Sequence, residues 1–313
     1  MSKIAFVFPG QGSQVVGMGK DVFEFYPQAK TIFEAANTCL GESLSSLCFH
    51  GPEEELKLTY HTQPALLTTS IALYEAGKNL LPVPHYVAGH SLGEYTALVV
   101  AGVLSFEEAV VAVKKRGLFM NEAVPSGVGA MAAVLGGSKE TIQEVCQQVT
   151  KTSLPVQIAN VNCPGQIVIS GTKEGVEAAT VLLKEKGIKK VIPLPVSGPF
   201  HSSLMQPARD QLETVLENTA FHEALIPVVS NIDAQERKHP TEIKDSLLKQ
   251  VCGSVLWEES VQYMIDQGVT TFVEIGSGKV LTGLIKKISR DVTVYNIFDQ
   301  TSLNDVVEKL ATT

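Results

Sequence analysis

The chain has 313 residues and a formal net charge of −8, and 44% of its residues are hydrophobic, which is enough to bury a core without disulfide bonds. This length suits one large domain or about two domains. The negative charge argues against non-specific nucleic-acid binding, which needs clustered cations. No apolar run approaches the roughly 18–20 residues that span a bilayer, and the five cysteines form no C-x-x-C pair. We therefore expect a reduced, cytoplasmic protein without a membrane, metal or nucleic-acid partner.

Short apolar strands alternate with amphipathic helices along most of the chain, which predicts a parallel sheet with helices on both faces. The first strand is too short to be the core of a signal peptide, and Ser105 and Glu108 have the spacing of a capping box. In chain order the predicted elements are a strand at Ile4–Phe8, a helix at Thr62–Leu80 with Pro64 in its first turn, a strand at Tyr86–Gly89, helices at Leu92–Ala101 and Ser105–Met120, a strand at Thr271–Ile275, a helix at Lys279–Ser289 and a strand at Val292–Ile297.

The middle of the chain follows a different order. After a glycine-rich joint at 125–129, the elements are predicted in the order βαββαβ, which is typical of a ferredoxin-like unit. We therefore predict an α/β fold with a small domain at 127–196 inserted into a larger α/β domain formed by 1–126 and 197–313. The predicted elements of the insertion are strand Ala130–Leu135, helix Lys139–Val149, strand Val156–Val161, a turn at Asn162–Gly165, strand Gln166–Ser170, helix Lys173–Lys186 and strand Ile188–Leu194.

Gly89-His-Ser-Leu-Gly93 is the one G-x-S-x-G match in the sequence. It lies between a predicted strand and a predicted helix, which is the context of a nucleophile elbow. The flanking glycines permit a tight turn that exposes the Ser91 hydroxyl at a helix N-terminus, where backbone N–H groups can stabilise an oxyanion. The alternative is a plain strand–helix turn in which Ser91 is a cap.

A serine nucleophile needs a base, and His201 is the histidine that the chain order favours. It follows a predicted strand and comes after the serine, as in α/β-hydrolases; the alternative is a structural histidine. His90 is a poor base for Ser91, because neighbouring side chains diverge along a strand or turn. The other histidines lie in polar or loop-like contexts that are typical of a surface: His50, His61, His85, His222 and His239.

Two further features each have an ordinary and a functional interpretation. The glycine-rich segment 9–13 lacks a complete nucleotide-binding pattern, but beside an elbow it could supply a second oxyanion N–H from Gln11. Arg116 ends an apolar helix face. It is either a cation favoured at a helix C-terminus or the bidentate partner of a substrate carboxylate, and periodicity does not choose between them.

Seven ordered segments together extend over nearly the whole sequence. They are FPGQGSQ (8–14), GHSLGEY (89–95), KRGLFM (115–120), GAMAAVLG (129–136), ANVN (159–162), GPFHSSLM (198–205) and EIGSGKVL (274–281). With these segments the chain resembles the malonyl-CoA:acyl carrier protein transacylases, the acyltransferase family of fatty acid and polyketide synthesis. The resemblance implies a hydrolase-like, parallel-sheet large domain with a ferredoxin-like insertion.

The family pattern assigns catalytic roles by position. The resemblance implies that Ser91 carries the acyl ester and that His201 is its base. It also implies that a backbone carbonyl, rather than a triad carboxylate, orients this histidine, and Gln250 stands at that position. The N–H groups of Gln11 and Leu92 would form the oxyanion hole.

The resemblance also assigns the substrate contacts. Arg116 would bind the free carboxylate of malonyl, and His90 and Phe200 would contact the substrate. Phenylalanine before the catalytic histidine marks malonyl selection in related polyketide acyltransferases, whereas serine there accompanies methylmalonyl. Leu92 after the nucleophile is likewise found in malonyl-type sequences. No cofactor is implied, because malonyl-CoA is a substrate and CoA a product.

The implied reaction transfers malonyl from malonyl-CoA to the phosphopantetheine thiol of acyl carrier protein in fatty acid biosynthesis, by a protein that we expect to be monomeric. A trans-acting polyketide acyltransferase is an alternative, although Gly198 and Pro199 resemble stand-alone fatty-acid enzymes. A serine hydrolase or thioesterase is a second alternative, but it normally needs an acidic triad partner and no Arg116. A non-enzymatic acyl-sensing protein is the third, and it could have lost Ser91.

Docking of an acyl carrier protein requires a basic patch, because such carriers are acidic and this chain is itself acidic. The sequence offers two candidates. We define the 184–190 cluster as Lys184, Lys186, Lys189 and Lys190, and the 286–290 cluster as Lys286, Lys287 and Arg290. The ordinary interpretation of each cluster is a solvated helix end.

Overall fold

The computed structural model describes residues 3–311, so the predicted outer domain limits at residues 1 and 313 lie outside it. Within residues 3–311 the strands are β1 (Lys3–Phe8), β2 (Tyr86–Gly89), β3 (Gly129–Leu135), β4 (Val156–Cys163), β5 (Gln166–Thr172), β6 (Lys190–Pro193), β7 (Val228–Val229), β8 (Glu236–Arg237), β9 (Val255–Leu256), β10 (Val269–Ile275) and β11 (Thr293–Ile297). The α-helices of the same range are α1 (Lys20–Phe25), α2 (Pro27–Leu40), α3 (Leu44–His50), α4 (Glu53–Leu56), α5 (Thr59–Gly77), α6 (Gly93–Val100), α7 (Phe106–Glu122), α8 (Lys139–Thr150), α9 (Lys173–Glu185), α10 (Gln206–Glu217), α11 (Pro240–Cys252), α12 (Trp257–Asp266), α13 (Val280–Ile288) and α14 (Gln300–Ala311).

The larger sheet has the strand order β11-β10-β1-β2-β7-β8, and its pairs are parallel except for β7 with β8. Residues 5–8 of β1 and all four residues of β2 are buried, as expected for a parallel sheet that is covered on both faces. Phe8 at the end of β1 pairs with Gly89 at the end of β2. The loop that carries Gln11 and the turn that carries Ser91 therefore leave the sheet side by side.

Helix α5 packs against α2, α6 and α7 and is buried on almost all sides. It begins at Thr59, three residues before the predicted start. The prediction that Pro64 lies in the first turn is wrong, because Pro64 lies inside the helix. Burial of Thr59, Thr62 and Gln63 outweighs the hydrogen bond that the proline cannot donate.

Helix α7 begins where the capping box predicts. The Ser105 hydroxyl accepts a hydrogen bond from the Glu108 N–H at 3.2 Å and donates to the Glu108 carboxylate at 2.9 Å. This cap fixes the start of the helix that carries Arg116, and Arg116 lies well inside α7 rather than in its last turn.

The smaller sheet has the strand order β6-β3-β5-β4-β9. Its first four strands are antiparallel and are connected through α8 and α9 in the ferredoxin-like order βαββαβ. The predicted fold class, a hydrolase-like parallel sheet with a ferredoxin-like insertion, is confirmed. The fifth strand, β9, comes from outside 127–196 and pairs in parallel with β4. The domain division at 127–196 stays a prediction.

The hairpin between β4 and β5 is tighter than predicted. The predicted turn at 162–165 is wrong at its start. Strand β4 continues to Cys163, which pairs with Gln166, so only Pro164 and Gly165 form the turn. Burial of the whole strand keeps it extended up to this point. Asn162 therefore lies in a strand, next to the site described below.

Candidate active site

Ser91 lies at a sharp turn between β2 and α6. Its backbone φ is 52°, in the left-handed region that non-glycine residues rarely adopt. Gly89 is needed here, because a Cβ at this position would lie 1.9 Å from the Gly93 carbonyl carbon. The Ser91 N–H donates to Asn231 Oδ1 at 2.7 Å, and Asn231 Nδ2 donates to the Gly89 carbonyl at 2.8 Å. The turn is thus held in the geometry of a nucleophile elbow.

The Ser91 hydroxyl and the His201 imidazole are hydrogen bonded to each other. Ser91 Oγ lies 2.8 Å from His201 Nε2, and His201 Nδ1 lies 2.8 Å from the Gln250 carbonyl oxygen. Because a carbonyl only accepts, Nδ1 carries the proton and Nε2 presents a lone pair to the serine hydroxyl. A backbone carbonyl therefore stands where serine hydrolases place a carboxylate.

His201 is 4% exposed and is kept in its neutral form. Burial, followed by the positive charge of Arg116, lowers its pKa to about 3. Its backbone φ is 56°, and Gln157 of β4 donates to the His201 carbonyl at 3.2 Å. Gln157 also donates to the Cys252 carbonyl at 3.1 Å and accepts from the Ser203 N–H at 2.9 Å. The smaller sheet thereby holds the backbone that carries the imidazole.

Arg116 extends from α7 and is 1% exposed. Its Nη1 donates to Gln63 Oε1 at 2.8 Å, and its Nη2 donates to Gln250 Oε1 at 2.9 Å and to Ser91 Oγ at 3.2 Å. Its buried Nε has no acceptor among residues 3–311. Burial lowers the pKa of Arg116, but a guanidinium stays protonated in proteins. A buried cation with an unpaired N–H beside a hydroxyl suits a ligand that carries a carboxylate.

Two backbone N–H groups at this edge of the larger sheet have no acceptor in the described part of the chain. They belong to Gln11, after β1, and Leu92, directly after Ser91. The Gln11 side chain donates to Thr59 Oγ1 at 3.3 Å. Both residues line the same cavity as the Ser91 hydroxyl, and a negatively charged oxygen that forms there needs donors of this kind.

These groups converge on one cavity of about 130 Å³. Met131 and Asn160 of the smaller sheet form part of its wall, so the cavity lies where the two sheets meet. Gln250 is fully buried behind it. The other predicted site residues all line it: Gln11, His90, Ser91, Leu92, Arg116, Phe200 and His201. The structure therefore brings together every site residue that the sequence predicts.

Comparison with known proteins establishes the family. A model of the acyl transferase domain matches residues 5–306. The chain belongs to the acyl transferase domain family. It is 53% identical over 310 residues to the malonyl CoA-acyl carrier protein transacylase of Bacillus subtilis (strain 168), with 99% of this chain and 98% of the relative covered. The resemblance seen in the seven sequence segments is confirmed.

Solved structures of this acyl transferase family agree closely with the fold. An acyl-carrier-protein-S-malonyltransferase from Bartonella henselae matches with a TM-score of 0.95 and 40% identity, covering 99% of both chains. A type II PKS acyl-carrier protein in complex with its malonyl-transacylase matches with a TM-score of 0.95 and 43% identity, covering 98% of this chain and 100% of that chain.

His90 directly precedes the nucleophile in the chain, and its side chain contacts Asn162 and Trp257. Its Nε2 lies 2.8 Å from Asn162 Oδ1, and its ring packs 5.8 Å from the Trp257 ring. Burial lowers the His90 pKa. The remaining five histidines lie outside the cavity. His61 is partly buried, and the other four are exposed: His50, His85, His222 and His239.

A larger groove of about 550 Å³ runs along α8 and β4, but it contains none of the predicted site residues. The smaller cavity combines a hydroxyl, an imidazole and a guanidinium. Among residues 3–311, no three His, Cys, Asp or Glu side chains are grouped to hold a metal ion. None of the helices in this range has the length and apolar character needed to cross a bilayer.

Several polar residues of the site escape prediction from sequence. Glu94 and Asn162 fall inside the segments that carry the family resemblance, so a closer use of those segments could have found them. The others have no local pattern, and only the fold brings them to the site. They are Gln63, which contacts Arg116, Gln157, which contacts the His201 backbone, and Asn231, which contacts Ser91.

Proposed function

We propose that this chain transfers the malonyl group of malonyl-CoA to the phosphopantetheine thiol of an acyl carrier protein through a malonyl ester on Ser91. One observation carries the proposal: the Ser91 hydroxyl is hydrogen bonded both to His201 and to Arg116. A malonyl thioester has a reactive carbonyl and a free carboxylate separated by one methylene group. A base and a guanidinium beside one nucleophile match these two groups, and the names of the relatives support the same substrate.

In the first half-reaction, His201 Nε2 takes the hydroxyl proton of Ser91 while Oγ attacks the thioester carbonyl. The N–H groups of Gln11 and Leu92 stabilise the negative oxygen of the tetrahedral intermediate. Collapse of this intermediate breaks the C–S bond, and His201 returns the proton to the CoA thiolate. The products are malonyl-Ser91 and CoA.

In the second half-reaction, the phosphopantetheine thiol gives its proton to His201 and attacks the ester carbonyl on Ser91. The same N–H groups stabilise the second oxyanion. Breaking the ester C–O bond releases the serine oxygen, which recovers its proton from His201, and malonyl leaves on the carrier protein. The two steps form a ping-pong scheme that needs no metal or prosthetic group, since CoA is only the first carrier of the acyl group.

Arg116 gives this scheme its preference for malonyl over neutral acyl groups. Two of its hydrogen-bond acceptors are the neutral amide oxygens of Gln63 and Gln250, so its charge is free to pair with a carboxylate. Holding that carboxylate fixes the carbonyl over Ser91. A fixed ester in a small cavity favours attack by the positioned thiol over attack by water.

We place the reaction in fatty acid biosynthesis. A trans-acting role in polyketide synthesis is the second candidate, because one matched structure contains a type II PKS acyl-carrier protein. Steady-state kinetics with one carrier protein of each kind would separate the two. A kcat/KM at least about tenfold higher for the fatty acid carrier supports our placement, and the reverse order contradicts it.

The central experiment is to trap the acyl-enzyme. After mixing with malonyl-CoA in the absence of carrier protein, intact-mass spectrometry should detect one malonyl group per chain, and peptide mapping should place it on Ser91. Ser91→Ala is the control, since it removes one hydroxyl, and it should carry no adduct. A malonyl group on that variant would refute the assignment of the nucleophile.

The same samples also test the hydrolase alternative. A transferase should release little free malonate until the carrier protein is added, and then form malonyl carrier protein at the rate at which the adduct disappears. Rapid release of malonate in the absence of carrier protein would instead favour a thioesterase.

A further inference from the structure

Glu94 is a buried carboxylate with no part in the proposed chemistry. It lies in the first turn of α6, three residues after Ser91, and is 2% exposed. Its Oε2 accepts hydrogen bonds from the Gln250 Nε2 at 2.8 Å and from the Asn231 N–H at 3.0 Å. Burial raises its pKa to about 7, although these two donors and the charge of Arg116 act in the opposite direction. Burying a carboxylate costs free energy unless hydrogen bonds compensate for the lost water. The contacts of Glu94 therefore point to a role for this side chain.

The Gln250 amide has only one orientation that satisfies its surroundings. Its Nε2 faces three acceptors, namely Glu94 Oε2, Asn231 Oδ1 at 3.0 Å and the Ser91 carbonyl at 3.1 Å. Its Oε1 accepts from Arg116 Nη2 at 2.9 Å. Because an amide nitrogen only donates and an amide oxygen only accepts, a flipped Gln250 would oppose donor to donor at Arg116. Glu94 is the nearest of the three acceptors and the only charged one.

Arg116 has one of its three hydrogen-bond acceptors in this amide. No carboxylate lies within ion-pairing distance of it in the described residues 3–311. Its acceptors are two glutamine oxygens and the Ser91 hydroxyl. A carboxylate in direct contact would compete with the substrate for the guanidinium. With Gln250 between Glu94 and Arg116, the guanidinium is aligned but remains available to a substrate carboxylate.

We propose that Glu94 is a positioning residue for malonyl recognition: it fixes the Gln250 amide with its oxygen towards Arg116, and so holds the guanidinium in place for the malonyl carboxylate. This inference rests on the proposed function. It assigns Glu94 a role in acyl selection in addition to its contact with Asn231, which holds the Ser91 turn. Its action passes through the Gln250 side chain, whereas His201 depends on the Gln250 backbone carbonyl.

The test compares loading of malonyl and acetyl from their CoA thioesters, because only malonyl uses Arg116 as a carboxylate receptor. Glu94→Met has no comparable acceptor and should lower kcat/KM for malonyl about 10–100-fold, mainly through KM, while acetyl loading changes less than about threefold. Glu94→Gln keeps an acceptor oxygen where both donors converge, so it should retain the malonyl-to-acetyl ratio within about threefold. Assays at about pH 8 keep Glu94 ionised in the unaltered protein.

A matched control and a double variant show whether Glu94 acts through Gln250. Thr96→Val, on the same helix, removes a buried hydroxyl that has no partner among residues 3–311 and should leave the ratio unchanged. In a Gln250→Leu background, Glu94→Met should produce little further loss, because the residue through which it acts has been removed. Additive losses would contradict the proposal.

The outcomes separate this inference from the proposed function. If the unaltered protein forms no malonyl adduct, the proposed function fails. If it does, but folded Glu94→Met or Glu94→Ala loses malonyl and acetyl loading equally, or keeps the ratio, then Glu94 is only structural. Failure of both variants to fold, judged by circular dichroism and Tm, would also assign it a structural role and overturn the inference.

Discussion

Arg116 donates a hydrogen bond to the hydroxyl oxygen of Ser91 at 3.2 Å, so the guanidinium touches the nucleophile directly. The same nitrogen also donates to Gln250 Oε1. Because Arg116 lines the cavity, a carboxylate that binds this guanidinium in the cavity would lie near Ser91. Recognition of the free acid and attack on the thioester are coupled by this one contact.

Replacing Arg116 should therefore affect malonyl far more than acetyl. We expect Arg116→Ala to lower kcat/KM for malonyl loading by about 10²–10³-fold, as expected for loss of a buried charge pair, and acetyl loading by less than about tenfold. Arg116→Lys is the matched control: it keeps the charge but not the planar fork, and should recover only part of the loss. Equal losses for both acyl groups, measured by single-turnover loading, would make Arg116 a structural residue.

The pH dependence of loading should reflect a histidine that stays neutral. Burial and the charge of Arg116 lower the pKa of His201 to about 3, and the neutral imidazole is the form that accepts the serine proton. With acetyl-CoA as donor, we expect a nearly constant loading rate from about pH 8 down to about pH 5, with no acid limb at the usual histidine pKa of about 6.5. Removing Arg116 removes a cation that disfavours imidazolium, so in Arg116→Ala the acid limb should move to higher pH. An acid limb near pH 6.5 in the unaltered protein would contradict this assignment.

The elbow could be predicted from sequence because everything that forms it is local. Gly89, Ser91 and Gly93 lie within five residues, between an apolar strand and a helix, and the strand Tyr86–Gly89 has the predicted bounds. The βαββαβ order is predictable for the same reason, because its strands and helices follow one another along the chain with short turns between them. By contrast, β9 is a two-residue strand that joins the smaller sheet from far along the chain, and no local pattern marks it.

The interior of the site depends on contacts that periodicity does not encode. Glu94 reaches Asn231 and Gln250 across 137 and 156 positions of sequence. The role of the Gln250 backbone carbonyl could be predicted only from the family resemblance, because any residue could supply that carbonyl. Helix α5 begins three residues before its predicted start, because burial of its first turn outweighs the preference of Pro64 for a helix start.

Phe200 should control the size of the acyl group. It is buried next to His201 and lines the cavity of about 130 Å³, so its ring limits the room for an acyl group there. We expect Phe200→Ser to raise the methylmalonyl-to-malonyl ratio of kcat/KM roughly tenfold, the usual value of one methyl group in a pocket. Phe200→Leu is the control of intermediate size and should give a smaller change. An unchanged ratio, measured in competition between the two CoA thioesters, would show that other residues set the selection.

The two basic clusters, which are the candidate docking surfaces, lie on different elements of the fold. All their side chains are exposed. The 286–290 cluster lies on and just after α13, which packs against β4, and Lys287 is close enough to Cys163 to lower its thiol pKa, although burial raises that pKa more. Cys163 follows Asn162, which contacts His90 in the cavity wall. The 184–190 cluster lies at the end of α9 and the start of β6, the edge strand opposite β9. Both clusters are thus connected to the cavity wall, the 184–190 cluster through Leu194 and Val196 after β6 and the 286–290 cluster through Cys163, and we take the 286–290 cluster as the first docking surface to test.

We accordingly expect charge reversal at the 286–290 cluster to weaken docking of an acidic carrier protein. Lys286→Glu/Lys287→Glu should raise the carrier-protein KM about tenfold at low salt and flatten its salt dependence, because exposed charges act mainly on association and are screened by ions. Lys189→Glu/Lys190→Glu changes the net charge equally and is the matched control, with a smaller expected effect. Formation of malonyl-Ser91 from malonyl-CoA should change little in either variant, since Ser91 and Arg116 are untouched. If the two variants raise the carrier-protein KM equally, net charge alone explains the effect, and if neither does, the carrier protein docks on another surface.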